Sequence, residues 1–304
     1  MIVGRYAPSP SGRLHVGNLR TAMLAWLSAH HGRGELRLRI DDLDPNVSRP
    51  EHVTQQLLDL EAIGVTFSGP ELRQSERSEL YGEAVAQLDR EGLLYPCFCS
   101  RREVREAAQA PHVHLPEGAY PGTCRELTAA QRAERAEQRP AALRVRAGMP
   151  TVDFTDRHYG AQAELVDDFV VQRNDGVASY NLATVLDDAD QGVSEVVRGS
   201  DLLVGTARHV WLRDALGLTQ VDHAHVPLMI DADGERLAKR GGAVNLEELA
   251  ELGHSPGTVR RHLAVAIGLW DPDDQMIPSL PDLLARFDPA TLPTTDTIWI
   301  PPST

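Results

Sequence analysis

Hydrophobic and polar positions follow two different periods along the 304 residues, and this alternation predicts an α/β protein. Short apolar or alternating runs predict β-strands at residues 1–6, 34–40, 143–146, 169–173 and 183–186. Apolar residues recurring every three or four positions predict helices at residues 17–29, 50–63, 76–91, 246–252 and 259–267. Residues 101–142, rich in Ala, Glu and Arg with scattered prolines, indicate an insertion rather than a sheet, and the tail from Pro289 has little periodicity.

The first predicted strand and helix are joined by the turn Ala7-Pro8-Ser9-Pro10-Ser11-Gly12. A strand, a Gly/Pro turn and a helix N-terminus together favour anion binding, because free main-chain N–H groups and the helix dipole attract phosphate. Taken alone, His15 would be a surface histidine in an ordinary strand–turn–helix. Far downstream, however, the chain has Arg236-Leu237-Ala238-Lys239-Arg240. The two segments together predict a site that holds the phosphates of ATP from two sides.

Composition restricts the class of protein. A hydrophobic fraction of 42% and a charged fraction of 24% are those of an ordinary globular protein. We expect no membrane span and no export signal, and three cysteines without such a signal predict a reducing, cytoplasmic location. The net charge of −14 argues against binding nucleic acid, which prefers a basic surface.

The cysteines themselves form a pattern. Cys97 and Cys99 are separated by one residue, 20 residues lie between Cys99 and Tyr120, and three lie between Tyr120 and Cys124. Thiolates at this spacing suit Zn²⁺ in a closed structural site. From spacing alone, His112 or His114 would be the fourth ligand, and the alternative is three buried cysteines without metal.

These motifs resemble the class I aminoacyl-tRNA synthetases and, within them, the glutamate-specific branch, from residue 2 to about 270. His15-Val16-Gly17-Asn18 is similar to the "HIGH" element, and residues 236–240 are similar to the "KMSKS" element. Residues 180–183 and 196–203 resemble the segments that close over glutamate. Residues 236–240 form what we call the lysine loop, and the chain departs from the family there at Arg236 and Ala238. It also departs at Asp41, where glutamate is frequent.

The resemblance implies a set of site residues. It places glutamate against Arg5, Tyr6, Ala7, Pro8, Ser9, Asp41, Tyr180 and Arg198. It places ATP, with Mg²⁺, against His15, Gly17, Asn18, Arg236 and Lys239, of which His15 and Lys239 are the catalytic groups. Arginine suits carboxylates because its planar fork donates two parallel hydrogen bonds. A surface salt bridge with Asp201 is the alternative role for Arg198. We expect at least one of Asp187 and Asp188 to be a solvated carboxylate at a strand end.

The resemblance also divides the chain. It predicts a Rossmann-like catalytic domain in two halves, residues 1–94 and 166–228, separated by a zinc-bearing insertion at residues 95–165. Residues 229–304 would carry the lysine loop and a helical segment, with no anticodon-binding domain.

The whole pattern C-x-C-x20-Y-x3-C resembles the zinc element of the glutamyl-Q tRNA(Asp) synthetases, and this resemblance brings in Tyr120 as the fourth ligand. It implies a monomer that activates L-glutamate with ATP and transfers it to queuosine at the wobble position of tRNA(Asp). Two other functions stay open. One is a truncated glutamyl-tRNA synthetase that charges a tRNA 3′ end, and the other is an inactive synthetase-like regulatory module.

Overall fold

The structure is a computed structural model that describes residues 1–108, 119–231, 233–235, 237 and 245–300. Its strands are β1 Val3–Tyr6, β2 Glu35–Ile40, β3 Leu72–Arg73, β4 Leu94–Cys97, β5 Ala142–Val145, β6 Thr151–Asp156, β7 Gly160–Leu165, β8 Val170–Gln172, β9 Glu195–Gly199, β10 Asp222–Val226, β11 Met229–Ile230 and β12 Thr297–Ile298. Its α-helices are α1 Val16–His31, α2 Pro50–Ala62, α3 Ser78–Arg90, α4 Arg101–Ala108, α5 Ala129–Gln138, α6 Tyr180–Asp190, α7 Thr206–Ala215, α8 Leu246–Glu251, α9 Pro256–Ala266 and α10 Leu280–Leu284.

Two largely parallel sheets form the centre of the protein. One has the strand order β1-β2-β3 and the other β7-β6-β10-β9, in which only the β6–β7 pair is antiparallel. The sheets adjoin where the main-chain N–H of Ser194 donates to the carbonyl oxygen of Val3 at 2.9 Å. Parallel strands with helices between them are typical of α/β folds, which place ligands at the carboxyl ends of the strands.

Helix α1 packs between β1, β2 and β9 on one side and α9 and α10 on the other. Eleven of its 16 residues are buried, so it is apolar on nearly every face, as a helix enclosed by other elements must be. Its central residues, including Leu19, Met23 and Leu27, belong to the largest hydrophobic core. The helix that begins at the predicted phosphate site is therefore held rigidly.

The second sheet reaches into the predicted insertion. Strands β6 and β7 lie within residues 95–165, yet β6 pairs with β10, where Asp156 lies beside His223. A separate antiparallel sheet, β4-β5-β8, carries the start of the cysteine segment. The predicted domain boundaries stay predictions, but the β6–β7 hairpin is joined to the catalytic sheet by hydrogen bonds.

One predicted strand is wrong. Residues 183–186 lie inside α6, which Ser179 caps by accepting a hydrogen bond from the main-chain N–H of Leu182. The run is buried on all sides, and a short buried run cannot be assigned to strand or helix from periodicity alone. The expectation for the next two residues is also wrong, because Asp187 and Asp188 are both buried in this helix.

The predicted helices are all present to within about three residues at each end. The same holds for the predicted strands at residues 1–6, 34–40, 143–146 and 169–173. Within the part of the chain that the structure describes, no helix combines the length and the apolar character needed to cross a bilayer.

Candidate active site

The N-terminus of α1 is capped by a histidine. His15 Nδ1 accepts hydrogen bonds from the main-chain N–H groups of Gly17 at 3.1 Å and Asn18 at 3.3 Å. The side-chain oxygen of Asn18 accepts one from the main-chain N–H of His15 at 3.2 Å, which completes a capping box. Because Nδ1 is an acceptor, a neutral ring carries its hydrogen on Nε2. The imidazole is therefore fixed at the helix end that favours anions.

Gly17 has a packing role in the same turn. A Cβ at this position would lie 2.9 Å from Cε1 and 3.0 Å from Nδ1 of His15, closer than side-chain carbons approach one another. A glycine can leave room for a flat ring such as adenine against the main chain. In the structure, the space above the glycine is occupied by the histidine ring.

A cavity of 830 Å³ opens between this helix terminus and the carboxyl ends of β1, β2 and β9. Its size lies within the range of about 300–1,000 Å³ for small-molecule sites. The predicted glutamate and ATP residues that the structure describes all line it, namely Arg5, Tyr6, Ala7, Pro8, Ser9, His15, Gly17, Asn18, Asp41, Tyr180 and Arg198. Arg236 and Lys239 lie outside the described residues, while Leu237 between them lines the cavity.

Buried ion pairs form the floor of the cavity. Asp188 Oδ1 accepts from Arg5 Nε at 3.2 Å and from Arg39 Nη1 at 2.5 Å. Arg39 Nε also donates to Asp41 Oδ1 at 2.6 Å. Burial raises the pKa of Asp41, although the charge of Arg39 acts to lower it. Burial alone would raise the pKa of Asp188, but Arg5 and Arg39 hold it below its ordinary value.

The neighbouring carboxylate, Asp187, belongs to the support of this floor. It accepts hydrogen bonds from Gln74 Nε2 at 2.8 Å, Arg77 Nε at 2.9 Å and the Tyr81 hydroxyl at 2.9 Å. Its oxygens therefore face α3 and the turn before it rather than the cavity. This geometry assigns Asp187 a structural role.

Arg198, near the end of β9, has a different environment. Its guanidinium donates to His225 Nε2 at 2.9 Å, to the Tyr180 hydroxyl at 3.3 Å and to Thr206 Oγ1 at 2.9 Å. Among the described residues, no carboxylate oxygen lies within 4 Å of this guanidinium, and the side chain is buried. The alternative of a surface salt bridge with Asp201 is therefore wrong. Burial lowers the pKa of Arg198.

The three cysteines converge at a second site. Their sulphur atoms lie within 4.8 Å of one another, and the Cys99 and Cys124 sulphurs are 3.5 Å apart. The Tyr120 hydroxyl lies 3.3 Å from Cys97 Sγ and 3.7 Å from Cys99 Sγ. Tetrahedral Zn²⁺ with Zn–S near 2.3 Å and Zn–O near 2.0 Å requires ligand separations of about 3.8 Å and about 3.5 Å, respectively. The four side chains therefore fit a zinc ion, while His112 and His114 lie outside the described residues.

Several buried polar residues at the first site were missed by sequence reasoning. They are Arg39, Asp156, Asp188, His209 and His225, each less than 5% exposed. A signal was present, since charged residues interrupt apolar strands in Leu36-Arg37-Leu38-Arg39-Ile40. Charged groups are seldom buried unless paired, so such positions indicate a network, but the pattern does not identify the partners.

The chain is similar to known proteins over most of its length. The family described as tRNA synthetases class I (E and Q), catalytic domain, matches residues 1–277. The chain belongs to this family. Among its relatives, the glutamyl-Q tRNA(Asp) synthetase of Nocardia farcinica is 50% identical over 293 residues, covering 95% of this chain and 90% of the relative. The protein of the same name from Symbiobacterium thermophilum is 45% identical over 306 residues, covering 96% and 94%.

Solved structures of the family agree with the fold. A glutamate tRNA ligase from Elizabethkingia meningosepticum, solved in complex with its amino acid, gives a TM-score of 0.81 at 26% identity, covering 99% of this chain and 67% of that one. The glutamate-tRNA synthetase of Elizabethkingia anophelis gives 0.82 at 25% identity, covering 98% and 68%. The predicted fold class and the predicted resemblance to glutamyl-Q tRNA(Asp) synthetases are confirmed.

Proposed function

We propose that the chain activates L-glutamate with ATP to glutamyl-adenylate and transfers the glutamyl group to queuosine at the wobble position of tRNA(Asp). The observation that carries the first step is the cavity beside the capped terminus of α1, in which Arg198 has no carboxylate partner among the residues that the structure describes. Support for the acceptor comes from the relatives named glutamyl-Q tRNA(Asp) synthetase, at 45–50% identity over nearly the whole chain.

In this proposal Arg5 and Arg198 bind the two carboxylates of glutamate, and Tyr180 closes the pocket through its hydroxyl. Asp41 receives the ammonium group. Although Asp41 is bonded to Arg39, a carboxylate offers about four acceptor positions and can accept further hydrogen bonds. Tyr6, Ala7, Pro8 and Ser9 form the adjoining wall.

ATP would lie with its phosphates at the start of α1, against His15, Gly17 and Asn18. Arg236 and Lys239 would approach from the other side. A glutamate carboxylate oxygen attacks the α-phosphorus, a new P–O bond forms, and pyrophosphate leaves. Groups that neutralise charge in the transition state are the main source of catalysis in such a step. Mg²⁺ would supply further positive charge to the phosphates.

Zn²⁺ would be held by Cys97, Cys99, Tyr120 and Cys124 as a structural ion. The hydrogen bond from Cys99, together with that from Tyr120, lowers the pKa of Cys97 despite its burial, and the thiolate is the form that binds metal. Arg135 Nη1 also lies 3.6 Å from Cys124 Sγ. A monomeric state and a cytoplasmic location stay predictions.

The acceptor is tested with radiolabelled glutamate and two forms of tRNA(Asp), with and without queuosine. We expect label only on the queuosine-containing form. Unmodified tRNA(Glu) transcript is the third substrate, and its efficient charging would show that the chain is a truncated glutamyl-tRNA synthetase instead. Glutamate-dependent exchange of pyrophosphate into ATP, measured separately, must be present, and its absence would favour an inactive regulatory module.

A further inference from the structure

Three buried side chains from adjacent strands lie in a line that ends at the candidate glutamate pocket. Asp156 is on β6, His225 on β10 and Arg198 on β9. His225 pairs directly with Arg198 in the parallel ladder, and the strand of His225 pairs with that of Asp156. Asp156 and His225 are less than 2% exposed, and Arg198 is 5% exposed. Neither the aspartate nor the histidine belongs to the predicted ligand-binding set.

Hydrogen bonds define the protonation of the histidine in this line. Asp156 Oδ2 lies 2.6 Å from His225 Nδ1 and accepts from the His225 main-chain N–H at 3.0 Å. The ring hydrogen is therefore on Nδ1, and the lone pair of Nε2 accepts from Arg198 Nε at 2.9 Å. Burial and the charge of Arg198 lower the pKa of His225, against the opposing effect of Asp156, so the ring is neutral at neutral pH.

His209 presents a second lone pair to the same arginine. Its Nε2 lies 3.1 Å from Asn181 Oδ1, which as an acceptor places the ring hydrogen on Nε2. Nδ1 is then an acceptor 3.4 Å from Arg198 Nη1. Burial lowers the pKa of His209 well below its ordinary value, and Arg198 adds to this effect. Both histidines thus hold the arginine without neutralising it.

The contrast with Arg5 shows what this arrangement achieves. Arg5 has a direct carboxylate partner, Asp188, at 3.2 Å. Arg198 is as well fixed, but its nearest negative group in the line, Asp156, is separated from it by the imidazole ring of His225. A guanidinium held by neutral acceptors keeps its full charge for an incoming carboxylate.

We propose that Asp156 and His225 are positioning residues for glutamate recognition. Asp156 fixes the tautomer of His225, and His225 fixes the orientation of Arg198 while leaving its charge for the substrate. This inference rests on the proposed activation of glutamate. It also assigns the β6 strand, which lies in the predicted insertion range, a direct part in building the amino-acid pocket.

Asp156→Asn is the decisive variant because it preserves shape and reverses one hydrogen-bonding group. Asp156 Oδ1 accepts from the main-chain N–H groups of His158 and Tyr159, both at 2.9 Å, so the amide oxygen stays on that side. The amide nitrogen then faces His225 Nδ1 and favours the tautomer with hydrogen on Nε2, while the His225 main-chain N–H keeps Oδ1, at 3.4 Å, as its acceptor. That hydrogen points at the Arg198 N–H, and the two donors repel. We expect the glutamate KM to rise about tenfold while the ATP KM changes less than about twofold.

Two further variants separate positioning from a general structural effect. His225→Gln can donate to Asp156 and accept from Arg198, so its glutamate KM should stay within about threefold of wild type. His225→Leu offers no acceptor and should match Asp156→Asn. Since Asp156 acts through His225, adding Asp156→Asn to His225→Leu should raise the KM no further. His254→Gln, which changes a buried ring between α8 and α9 that does not line the cavity, is the matched control and should leave the KM unchanged.

The assay is glutamate-dependent pyrophosphate exchange, with ¹⁵N NMR of the histidine rings of the full chain as a second readout. We expect the Nδ1–H tautomer for His225 in the wild type and the Nε2–H tautomer in Asp156→Asn. A wild type without glutamate-dependent exchange would defeat the proposed function and this inference together. An active wild type with an unchanged glutamate KM, or an unchanged tautomer, in Asp156→Asn would overturn the positioning role alone.

Discussion

Replacement of Asp188 tests the buried ion network under the cavity. This carboxylate accepts from Arg5 Nε and Arg39 Nη1 through the same oxygen, and its side chain is 4% exposed. Removing one member of a buried ion pair costs about 3–5 kcal/mol, because the remaining charge is left uncompensated. In Asp188→Ala, Arg5 loses its carboxylate partner and Arg39 keeps Asp41, so we expect the free energy of unfolding to fall by about 4 kcal/mol. Asp188→Asn keeps an acceptor oxygen, and we expect about half of that loss.

The effect should depend on pH in a defined direction. Arg5 and Arg39 hold the pKa of Asp188 below its ordinary value of 3.8, against the effect of burial. A carboxyl group with a lowered pKa stabilises the folded state above its unfolded pKa, and this contribution is lost as the pH falls through the folded pKa. The difference in unfolding free energy between wild type and Asp188→Asn should therefore be constant from neutral pH to about pH 5 and shrink below about pH 4.

Urea unfolding followed by circular dichroism and tryptophan fluorescence measures these differences. The matched control is Asp190→Asn, two residues along α6, where a carboxylate that is 57% exposed lies 2.7 Å from Arg77 Nη2. An exposed pair of this kind contributes about 0–1 kcal/mol. If Asp188→Ala costs no more than the control, the charges of Arg5 and Arg39 do not depend on Asp188, and the description of the cavity floor is wrong.

Three other changes test separate parts of the site. Lys239→Ala should lower the rate of pyrophosphate exchange by about 10²–10³-fold with folding retained, because a charge directed at the transition state is lost. A near-normal rate would show that Lys239 is not part of the site. Cys99→Ser should reduce the zinc content below one ion per chain in elemental analysis, and should loosen the surrounding segment before the rest of the protein. The site would be contradicted if wild-type protein prepared without chelators contained no metal. Gly17→Ala should displace the His15 ring and slow pyrophosphate exchange. Its control is Gly82→Ala, at an exposed helical position with open space around it, which should keep full activity and gain about 0.5–1 kcal/mol in stability.

Periodicity predicted the elements that have one clear apolar face or one clear apolar run. Helices α2 and α3 bury one side only, and their predicted ranges differ from the structure by two residues or fewer at each end. Strand β10 was not predicted, because its sequence Asp222-His223-Ala224-His225-Val226 is polar. It is buried because the ring of His223 contacts a phenylalanine of β6 edge-on, and His225 bonds to Asp156 on β6 and Arg198 on β9. Only the tertiary structure supplies those partners.

At the candidate site, too, some residues could be predicted from the sequence and others depend on tertiary contacts. Resemblance identified the residues that line the cavity, but not those that hold them, such as Asp188 and His225. Such supporting residues come from elements distant in sequence: 183 residues separate Arg5 from Asp188. The net charge of −14 was also a poor guide, because the family to which the chain belongs is named for tRNA. A total charge does not describe the local surface where a nucleic acid binds.

The two pocket arginines differ in a way that bears on the choice between glutamate and glutamine. A neutral amide in place of a carboxylate removes a negative charge from the pocket. Arg5 loses little by that exchange, because Asp188 already balances it. Arg198 has only neutral acceptors among its hydrogen-bonding partners in the described part of the chain, so without a carboxylate it is a buried, uncompensated charge. Because such a charge is costly, rejection of glutamine should depend mainly on Arg198 and on the neutral histidines that hold it.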